Sequence, residues 1–290
     1  MQCTIDRRAL FSASHRYWLP ELDDAENQRR FGACSRFPGH GHNYVLYVSL
    51  WGELDRFGMV ENLSTVKRVI KQEVTNQLDY SYLNQVWPEF EQTLPTTEFI
   101  AKTIWARLAP HLPLVKVRLF EHPELWVDYR GNAMEATLNI KTHFSAAHRL
   151  ALPALSLEEN TEIYGKCARV NGHGHNYHLE IAVTGEMDSR TGMIVDLGDL
   201  QALVQNLVVE PFDHTFLNKD IPYFAEVVPT AENIALYIAQ LLQEPVRRLG
   251  VELEKVTLIE SPNNSCEIHC RQQVFPSISH TSAQPELVNC

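Results

Sequence analysis

Six histidines stand in two identical sets of three, and neutral imidazole is the commonest metal-binding side chain in proteins. The sets are His15, His40 and His42, and then His148, His173 and His175. In each set the first histidine precedes the second by 25 residues, and a glycine separates the last two. Three nitrogen ligands leave one position of a tetrahedral zinc ion open, as in catalytic zinc sites. The pattern predicts one Zn²⁺ per set, and iron, nickel or cobalt would also suit these ligands.

A cysteine accompanies each set, six positions before its His-Gly-His pair, at Cys34 and Cys167. A nearby metal ion lowers the pKa of a thiol, because its positive charge stabilises the thiolate. The alternative is that both cysteines are small buried apolar residues, as most free cysteines are. Their repeated placement beside the histidines favours a reactive role.

Strands are the elements that would position these ligands. His173 and His175 are two residues apart, so on a strand both rings point to the same face. His148 completes the set if the strand that it ends lies beside theirs, as consecutive strands usually do. Glycines 172 and 174 keep the backbone slim at this point.

The duplication extends through the whole chain. Residues 11–16 return as 144–149, residues 39–44 return as 172–177, and later landmarks align up to Glu121 and Glu260. The sequence therefore predicts two domains, at 1–131 and 132–270, and a mobile tail at 271–290. A Gly-Asn turn at 131–132 joins the domains so tightly that we expect them to pack closely.

Each copy has the same predicted order of elements. In the second copy, residues 136–144 alternate as a strand, a polar excursion follows at 153–171, and a second strand begins at His173. One helix follows residues 192–197, Thr230 caps another, and two strands close the copy at 255–260 and 266–269. The first copy has its polar excursion at 20–38. The prediction is an α+β fold, ββααββ in each copy, with two helices on one face of an antiparallel sheet.

Composition excludes several classes of protein. The chain has 290 residues, 44% of them hydrophobic, which is enough for two packed cores. Its net charge of −11 argues against a general nucleic-acid surface. No stretch approaches the ~20 apolar residues of a membrane span. Six cysteines do not form a disulfide framework in a chain of this length, and no secretory signal is evident, so we expect a cytoplasmic protein with no membrane partner.

The repeated motifs resemble those of the 6-pyruvoyl-tetrahydropterin and 6-carboxytetrahydropterin synthases, the pterin enzymes of the tunnelling fold. The resemblance rests on Phe-Ser-Ala-x-His-Arg, Cys-x5-His-Gly-His-Asn-Tyr, Gly-Met-x-x-Asp-Leu, Asp-His-x-x-Leu-Asn and Pro-Thr-x-Glu-Asn. It implies that the substrate is 7,8-dihydroneopterin triphosphate and that each histidine set holds zinc. It also implies that the domains assemble into barrel-like rings, with sites between subunits.

The resemblance also implies roles for individual residues of the second copy. Cys167 would be the general base, Asp213 and His214 would relay protons, and Glu260 and Thr230 would bind the pterin. An Asp-His pair, a strand-end glutamate and a capping threonine are also common without such roles. Arg149 and Lys166 of the second copy, and Arg16 of the first, are candidates for binding the triphosphate. The alternative is that they are simply solvated charges.

The first copy departs from the pattern at one position of the relay. Cys34, Asp79, Thr96 and Glu121 are kept, but Tyr80 stands where the second copy has His214. A phenol with a pKa near ~10 does not exchange protons near neutrality as imidazole does. We therefore expect the first site to be slow, altered or structural.

Four functions remain open at this stage. The first is a carbon–oxygen lyase that eliminates triphosphate and forms 6-pyruvoyl-tetrahydropterin. The second is the carboxy-type reaction, which releases acetaldehyde and serves queuosine synthesis. The third is a metal- and pterin-binding protein without turnover, and the fourth a zinc hydrolase, which the lack of a His-Glu-x-x-His motif disfavours.

The assembly is a further prediction. A family ring holds three domains, so we expect three chains, or a multiple of three, to form two stacked rings, one of first copies and one of second copies. Two arrangements of the sites stay open: Cys34 would meet Asp213 and His214 while Cys167 meets Asp79 and Tyr80, or each copy would assemble with its own kind, as in the separate rings.

Overall fold

The computed structural model describes residues 1–271, which form ten strands in two similar halves. Those of the first half are β1 (Gln2–His15), β2 (His40–Glu53), β3 (Ser81–Tyr82), β4 (Leu114–His122) and β5 (Leu125–Tyr129). Those of the second half are β6 (Glu135–His148), β7 (His173–Glu186), β8 (Thr215–Phe216), β9 (Glu252–Ser261) and β10 (Asn264–His269). The predicted tail lies outside the described residues, except for Arg271.

The helices repeat in the same way. The first half contains α1 (Asp24–Phe31), α2 (Leu63–Ile70), α3 (Asn76–Leu78), α4 (Leu83–Val86), α5 (Glu89–Gln92) and α6 (Thr97–Leu108). The second contains α7 (Leu157–Tyr164), α8 (Leu197–Val204), α9 (Glu210–Phe212), α10 (Leu217–Asp220) and α11 (Ala231–Arg248). A π-helical turn joins α2 to α3 and another joins α8 to α9. No helix among the described residues is long and apolar enough to cross a membrane.

The predicted ββααββ order is confirmed for the long elements, but the two polar excursions were incompletely interpreted. Each contains a short helix followed by a 3₁₀ turn, at Gly32–Ser35 and Gly165–Ala168. Asp23 caps α1, and Ser156 with Glu159 forms a capping box at the start of α7. The sequence pattern did not reveal these helices because they bury few apolar residues: only Asn27 and Phe31 of α1 and Asn160 of α7 are buried.

All ten strands belong to one sheet, in which the two halves lie side by side. The order is β3-β1-β2-β4-β5-β6-β7-β9-β10, with β8 beside β6. The long strands pair antiparallel throughout, as predicted, and only the two-residue pairs β1–β3 and β6–β8 are parallel. Because β5 pairs with β6 through Leu125–Ile140 to Asp128–Thr137, the two halves of a chain share one sheet. The prediction that they separate into different rings is therefore wrong.

The core lies between this sheet and the long helices. Tyr177, Leu179, Ile181 and Val183 of β7 are fully buried on one face, as the alternating pattern predicts. Burying each of these side chains contributes about 1.5–3 kcal/mol, so the strand that carries two of the histidines is firmly anchored. The site is thus built on rigid elements rather than on loops.

Candidate metal centres and their surroundings

The three histidines of each half converge at the end of two paired strands. His148 lies directly opposite His173 in the β6–β7 register, and His15 lies opposite His40 in β1–β2. Within each set the ligand nitrogens all lie within 4.8 Å of one another. The Nε2 atoms of His148 and His173 are 3.1 Å apart, and those of His15 and His40 are 3.2 Å apart. Each set can therefore hold one metal ion.

Hydrogen bonds orient the buried histidine of each set. Nδ1 of His148 donates to the carbonyl oxygen of Pro229 at 2.7 Å, and Nδ1 of His15 donates to that of Pro95 at 3.0 Å. This fixes the tautomer and leaves the Nε2 lone pair facing the other two rings. Burial lowers the pKa of both His15 and His148 to about 4, so both rings are neutral near pH 7, as metal ligands must be.

Two buried nitrogens are suited to binding a metal ion. Nε2 of His42 and Nε2 of His175 are buried and have no hydrogen-bond partner within residues 1–271. The nearest carboxylate oxygens are those of Glu121, 3.4 Å from His42, and Glu260, 3.8 Å from His175, outside hydrogen-bond geometry. Unpaired buried polar atoms cost free energy, and a bound cation would remove that cost. A donor set of three imidazoles suits zinc.

Glycine is required beside the histidines for a reason different from the one expected. Gly172 has φ +64°, and a Cβ there would lie 2.5 Å from the carbonyl oxygen of His148. A Cβ on Gly41 would lie 2.8 Å from the carbonyl oxygen of Ala13. The glycines thus permit the neighbouring strand to approach, rather than making room for the ion itself.

Each cysteine lies on a 3₁₀ turn that is fastened next to the first histidine. The carbonyl oxygen of Cys34 accepts from the amide of Tyr17, and that of Cys167 accepts from the amide of Leu150. Burial, and then the negative Glu121, raise the pKa of the Cys34 thiol. A bound dication would instead lower the pKa of this thiol, because its positive charge stabilises a thiolate.

The predicted triphosphate residues brace these turns. Nε of Arg16 donates to the carbonyl oxygen of Ser35 at 2.6 Å, and Nε of Arg149 donates to that of Ala168 at 2.9 Å. The two arginines are therefore not simply solvated charges. Lys166 is exposed on the cysteine turn. Their contact with a triphosphate stays a prediction.

The relay pair of the second half is assembled as the motif predicts. Asp213 accepts from Nδ1 of His214 at 2.7 Å and from the amide of Ser145 at 2.7 Å. Both contacts lower the pKa of the Asp213 carboxyl. His214 has φ +57°, and its side chain is 84% exposed. It shares a cavity of about 420 Å³ with His175 of its own half.

The first half has the same arrangement with a phenol in place of the imidazole. Asp79 accepts from the amide of Ser12 at 2.8 Å, and Tyr80 has φ +55° and is 91% exposed. Tyr80 shares a cavity of about 790 Å³ with His42 and Glu121. Neither Cys34 nor Cys167 hydrogen-bonds to a relay pair among the described residues.

Several of the predicted pterin-binding residues also make hydrogen bonds within the fold. Thr96 and Thr230 cap α6 and α11, and their hydroxyl oxygens accept from the amides of Phe99 and Asn233. Glu121 accepts from the Thr97 hydroxyl at 2.5 Å, whereas the second half has Ala231 at that position. Sequence analysis missed Thr97, although its place beside Thr96 in a repeated motif was a usable signal.

The sequence also did not reveal that a loop of the second half packs against the first half beside Cys34. Residues 188–194, which we call the docking loop, contact Thr96 and Glu98 of the first half through hydrogen bonds. Met193 of this loop packs in a cluster with Cys34, Leu19 and Leu94. The Gly-Met-x-x-Asp-Leu motif signalled that the loop matters, but not that it reaches across to the other half.

The fold and these sites define a tandem α+β protein with two sets of three histidines, each of which can hold a metal ion. A family model described as 6-pyruvoyl tetrahydropterin synthase matches residues 4–132 and 137–270, which is most of the chain. The chain belongs to the 6-pyruvoyl tetrahydropterin synthase family.

Several known proteins are similar to half of the chain. The 6-pyruvoyl tetrahydrobiopterin synthase of Homo sapiens is 46% identical over 134 residues, which cover 46% of this chain and 91% of that protein. A putative 6-carboxy-5,6,7,8-tetrahydropterin synthase of Archaeoglobus fulgidus is 36% identical over 134 residues, 46% of this chain and 96% of that protein. A solved structure of the Caenorhabditis elegans 6-pyruvoyl tetrahydropterin synthase is 39% identical, covers 47% of this chain and 95% of that one, and has a TM-score of 0.44.

Proposed function

We propose that the chain is a zinc-dependent carbon–oxygen lyase that eliminates triphosphate from 7,8-dihydroneopterin triphosphate and forms 6-pyruvoyl-tetrahydropterin. The observation that carries the proposal is the pair of histidine sets, each with its ligand nitrogens within 4.8 Å of one another, in a chain of this family. Cytoplasmic location and assembly into rings are part of the proposal.

The histidines His148, His173 and His175 would hold the zinc of the second half, and His15, His40 and His42 that of the first. The bound metal supplies Lewis-acid polarisation of the substrate's side-chain oxygens. Pro229 and Pro95 keep the buried ring of each set in the tautomer that this requires.

Proton transfer would fall to Cys167 as base and to Asp213 with His214 as relay. The Asp213 carboxylate holds Nδ1 of His214 in its protonated tautomer, so Nε2 is free to exchange a proton at the cavity. No hydrogen bond joins Cys167 to this pair within residues 1–271, and the relay that serves Cys167 would come from another copy.

Glu260 would bind the amino-pyrimidine edge of the pterin by a two-pronged contact between carboxylate oxygens and N–H donors. Thr230 would contribute a ring contact besides capping α11. Glu121 and Thr96 would serve the first site in the same way. Tyr80 makes that site the slower one, because a phenol retains its proton near neutrality.

The test is a product assay by mass spectrometry on the zinc-loaded protein under reducing conditions. We expect 6-pyruvoyl-tetrahydropterin, a strong loss of activity in Cys167→Ala, and a small loss in Cys34→Ala. Cys3→Ala is the matched control, because Cys3 is an exposed thiol on β1.

Other results would favour the competing functions. Release of acetaldehyde with a 6-carboxy product would indicate the reaction for which the Archaeoglobus relative is named. Binding without consumption of substrate would indicate a metal- and pterin-binding protein. Equal activity of Cys34→Ala and Cys167→Ala would contradict unequal sites.

A further inference from the structure

We propose that His122 supplies the proton-exchanging imidazole of the first half's cavity, where Tyr80 occupies the relay position. The first half is then a working site whose imidazole lies at the end of β4 instead of beside β3. This inference rests on the proposed function and deepens it for one half of the chain. His122 lies outside the repeated motifs, so the family resemblance assigns it no role.

Each cavity is lined by two imidazoles. The first cavity, of about 790 Å³, is lined by His42 and His122, and also by Tyr80. The second, of about 420 Å³, is lined by His175 and His214. One ring of each pair belongs to a set of three that can hold a metal ion, and the other does not. The first cavity therefore has the same complement of imidazoles as the second, although its relay position holds a phenol.

Two positions differ between the halves in a complementary way. Tyr80 aligns with His214, and His122 aligns with Ser261, each being the residue after the aligned strand-end glutamate. The first half thus has Tyr and His where the second has His and Ser. Neither a phenol nor a serine hydroxyl exchanges protons near neutrality as imidazole does. Each half therefore retains one such ring, on a different wall of its cavity.

A β-bulge brings His122 to the cavity. The register of β4 against β5 shifts between Phe120 and His122, where Glu121 is the extra residue. In an unbroken strand the side chains of Glu121 and His122 would point to opposite faces. With the bulge, both residues line the same cavity. The pairing of β9 with β10 has an equivalent shift at Glu260, so the position after the glutamate is built in the same way in both halves.

A backbone contact sets the tautomer of His122. The amide of Glu124 donates to Nδ1 of His122 at 3.3 Å, so the neutral ring carries its proton on Nε2. His214 has the opposite tautomer, because its Nδ1 donates to Asp213 and its Nε2 has the free lone pair. His122 is therefore prepared to donate a proton, whereas His214 is prepared to accept one.

The proposed reaction has a place for a proton donor. It converts a dihydropterin into a tetrahydropterin, so the ring gains two hydrogens that the side chain loses, and no external reductant is needed. A base removes protons from the side-chain carbons, and a donor must return protons to the ring. His122 takes up a proton from water at Nδ1, gives its Nε2 proton to the substrate and is neutral again. The base releases to water the proton that it removed.

Tyr80 is not placed to do this work. Its side chain is 91% exposed, and no hydrogen bond joins its hydroxyl to Asp79 within residues 1–271. In the second half, Asp213 both orients and charges the ring of His214. The phenol therefore lacks the carboxylate partner as well as the ability to exchange its proton near neutrality.

The first experiment measures turnover by the first centre alone. His173→Ala removes a metal ligand of the second half, so only the first centre remains in the zinc-loaded full chain. In this background, His122→Ser should lower kcat about a hundredfold, the lower end of what a positioned acid–base group contributes. KM should stay close to its background value, because a proton donor stabilises the transition state more than the bound substrate.

Two controls separate this role from a structural one. Elemental analysis should find one metal ion per chain with and without His122→Ser, and serine is the residue that the second half has at this position. His111→Ser is the matched variant, because His111 is an exposed histidine on the turn after α6. It should leave kcat and KM of the background unchanged.

Rescue from the opposite wall of the cavity is the second experiment. Adding Tyr80→His to the chain with His173→Ala and His122→Ser puts an imidazole beside Asp79, as in the second half. We expect kcat to recover at least tenfold of the roughly hundredfold loss. A side chain that only supports the local fold at position 122 would not be replaced by a ring at position 80.

The reciprocal exchange tests the same idea in the second half. His40→Ala leaves only the second centre, and in that background His214→Tyr should lower kcat. Adding Ser261→His should then recover part of the loss, because it gives the second half the arrangement of the first. This experiment does not depend on how well His122→Ser folds.

The outcomes are distinct. Unchanged turnover of the first centre in His122→Ser would overturn the proposal, as would a loss that neither Tyr80→His nor the reciprocal exchange recovers. A first centre that is inactive in His173→Ala, while the second turns over in His40→Ala, would also overturn it. Absence of turnover in the zinc-loaded wild type would contradict the proposed function itself, and this inference with it.

Discussion

At the scale of single residues, the spacing of the histidines predicted which rings converge. It did not predict the hydrogen bonds that orient those rings. His173 and His175 are separated by a single residue, which placed both rings on one face of the strand, and strand pairing brought in His148. The carbonyl oxygens of Pro95 and Pro229 were not predictable, because they reach the rings from a loop about 80 residues away in sequence. Such partners depend on tertiary packing rather than on a local pattern.

Removing one ligand should abolish one centre only. We expect two metal ions per chain in the wild type and one in His173→Ala, because two imidazoles do not retain the ion against water. Elemental analysis of the purified, dialysed protein measures this. His178→Ala is the control, since His178 is an exposed histidine of the same strand. Two ions per chain in His173→Ala would contradict the assignment.

Glu98 should make the internal junction sensitive to pH. Burial raises the pKa of Glu98 from 4.5 to about 7. Because the folded-state pKa is the higher one, the native state gains stability from the protonated carboxyl below pH 4.5, and loses it as pH rises through 7. Glu98→Gln cannot ionise, so it should be more stable than the wild type at pH 8, by at most about 3 kcal/mol, and similar at pH 4.5.

Thermal unfolding of both proteins at pH 4.5 and pH 8 measures this difference. Glu91→Gln, at an exposed position of α5, should unfold like the wild type at both values. An identical pH dependence in the Glu98→Gln variant and the wild type would show that Glu98 does not ionise in this range.

At the scale of elements, the long strands and helices could be predicted, but the short helices and the docking loop were not. The cap Asp23 and the capping box Ser156 with Glu159 were visible in the sequence, and they mark α1 and α7. The partner of residues 188–194 was not visible, because their motif fixes the shape of the loop and not the surface that it meets.

Gly192→Ala should destabilise the internal junction. The residue has φ +73°, which costs about 1 kcal/mol for alanine, and its Cβ would clash with Phe99 and Thr96. We expect a loss of about 2–4 kcal/mol, measured by urea unfolding. Gly250→Ala, with the strain and no clash, should lose about 1 kcal/mol. Equal losses of unfolding free energy in Gly192→Ala and Gly250→Ala would show that Gly192 is not closely packed against the first half.

At the scale of the whole molecule, the shared sheet was predictable from the short link between the halves. The prediction of separate rings did not take that link into account. The short Gly-Asn link between two strands is typical of a hairpin, and a hairpin places its strands side by side. The expectation of separate rings came from the family resemblance, and it neglected this covalent constraint. The β5–β6 pairing is what the link requires.

A continuous sheet should make the halves unfold together. Val127 of β5 is fully buried opposite Leu138 of β6, so Val127→Ala should cost about 2 kcal/mol and lower a single thermal transition. Calorimetry, together with circular dichroism, measures it. Val170→Ala, at a residue that is 64% exposed, should leave the transition unchanged. Two separable transitions, of which only one shifts, would contradict a common cooperative unit.

The ion pair between Arg190 and Glu21 has a consequence for how such a chain diversifies. In a ring of identical single domains, every substitution appears at every contact, so both faces must stay compatible with one sequence. Fusion removes that restriction, because the two halves are encoded separately and the residues where they meet can change on their own. Arg190 meets Glu21 there, while Arg56 and Ala154 occupy the corresponding positions of the other half. Tandem linkage thus lets the contact between the halves strengthen without changing the equivalent residues of each half.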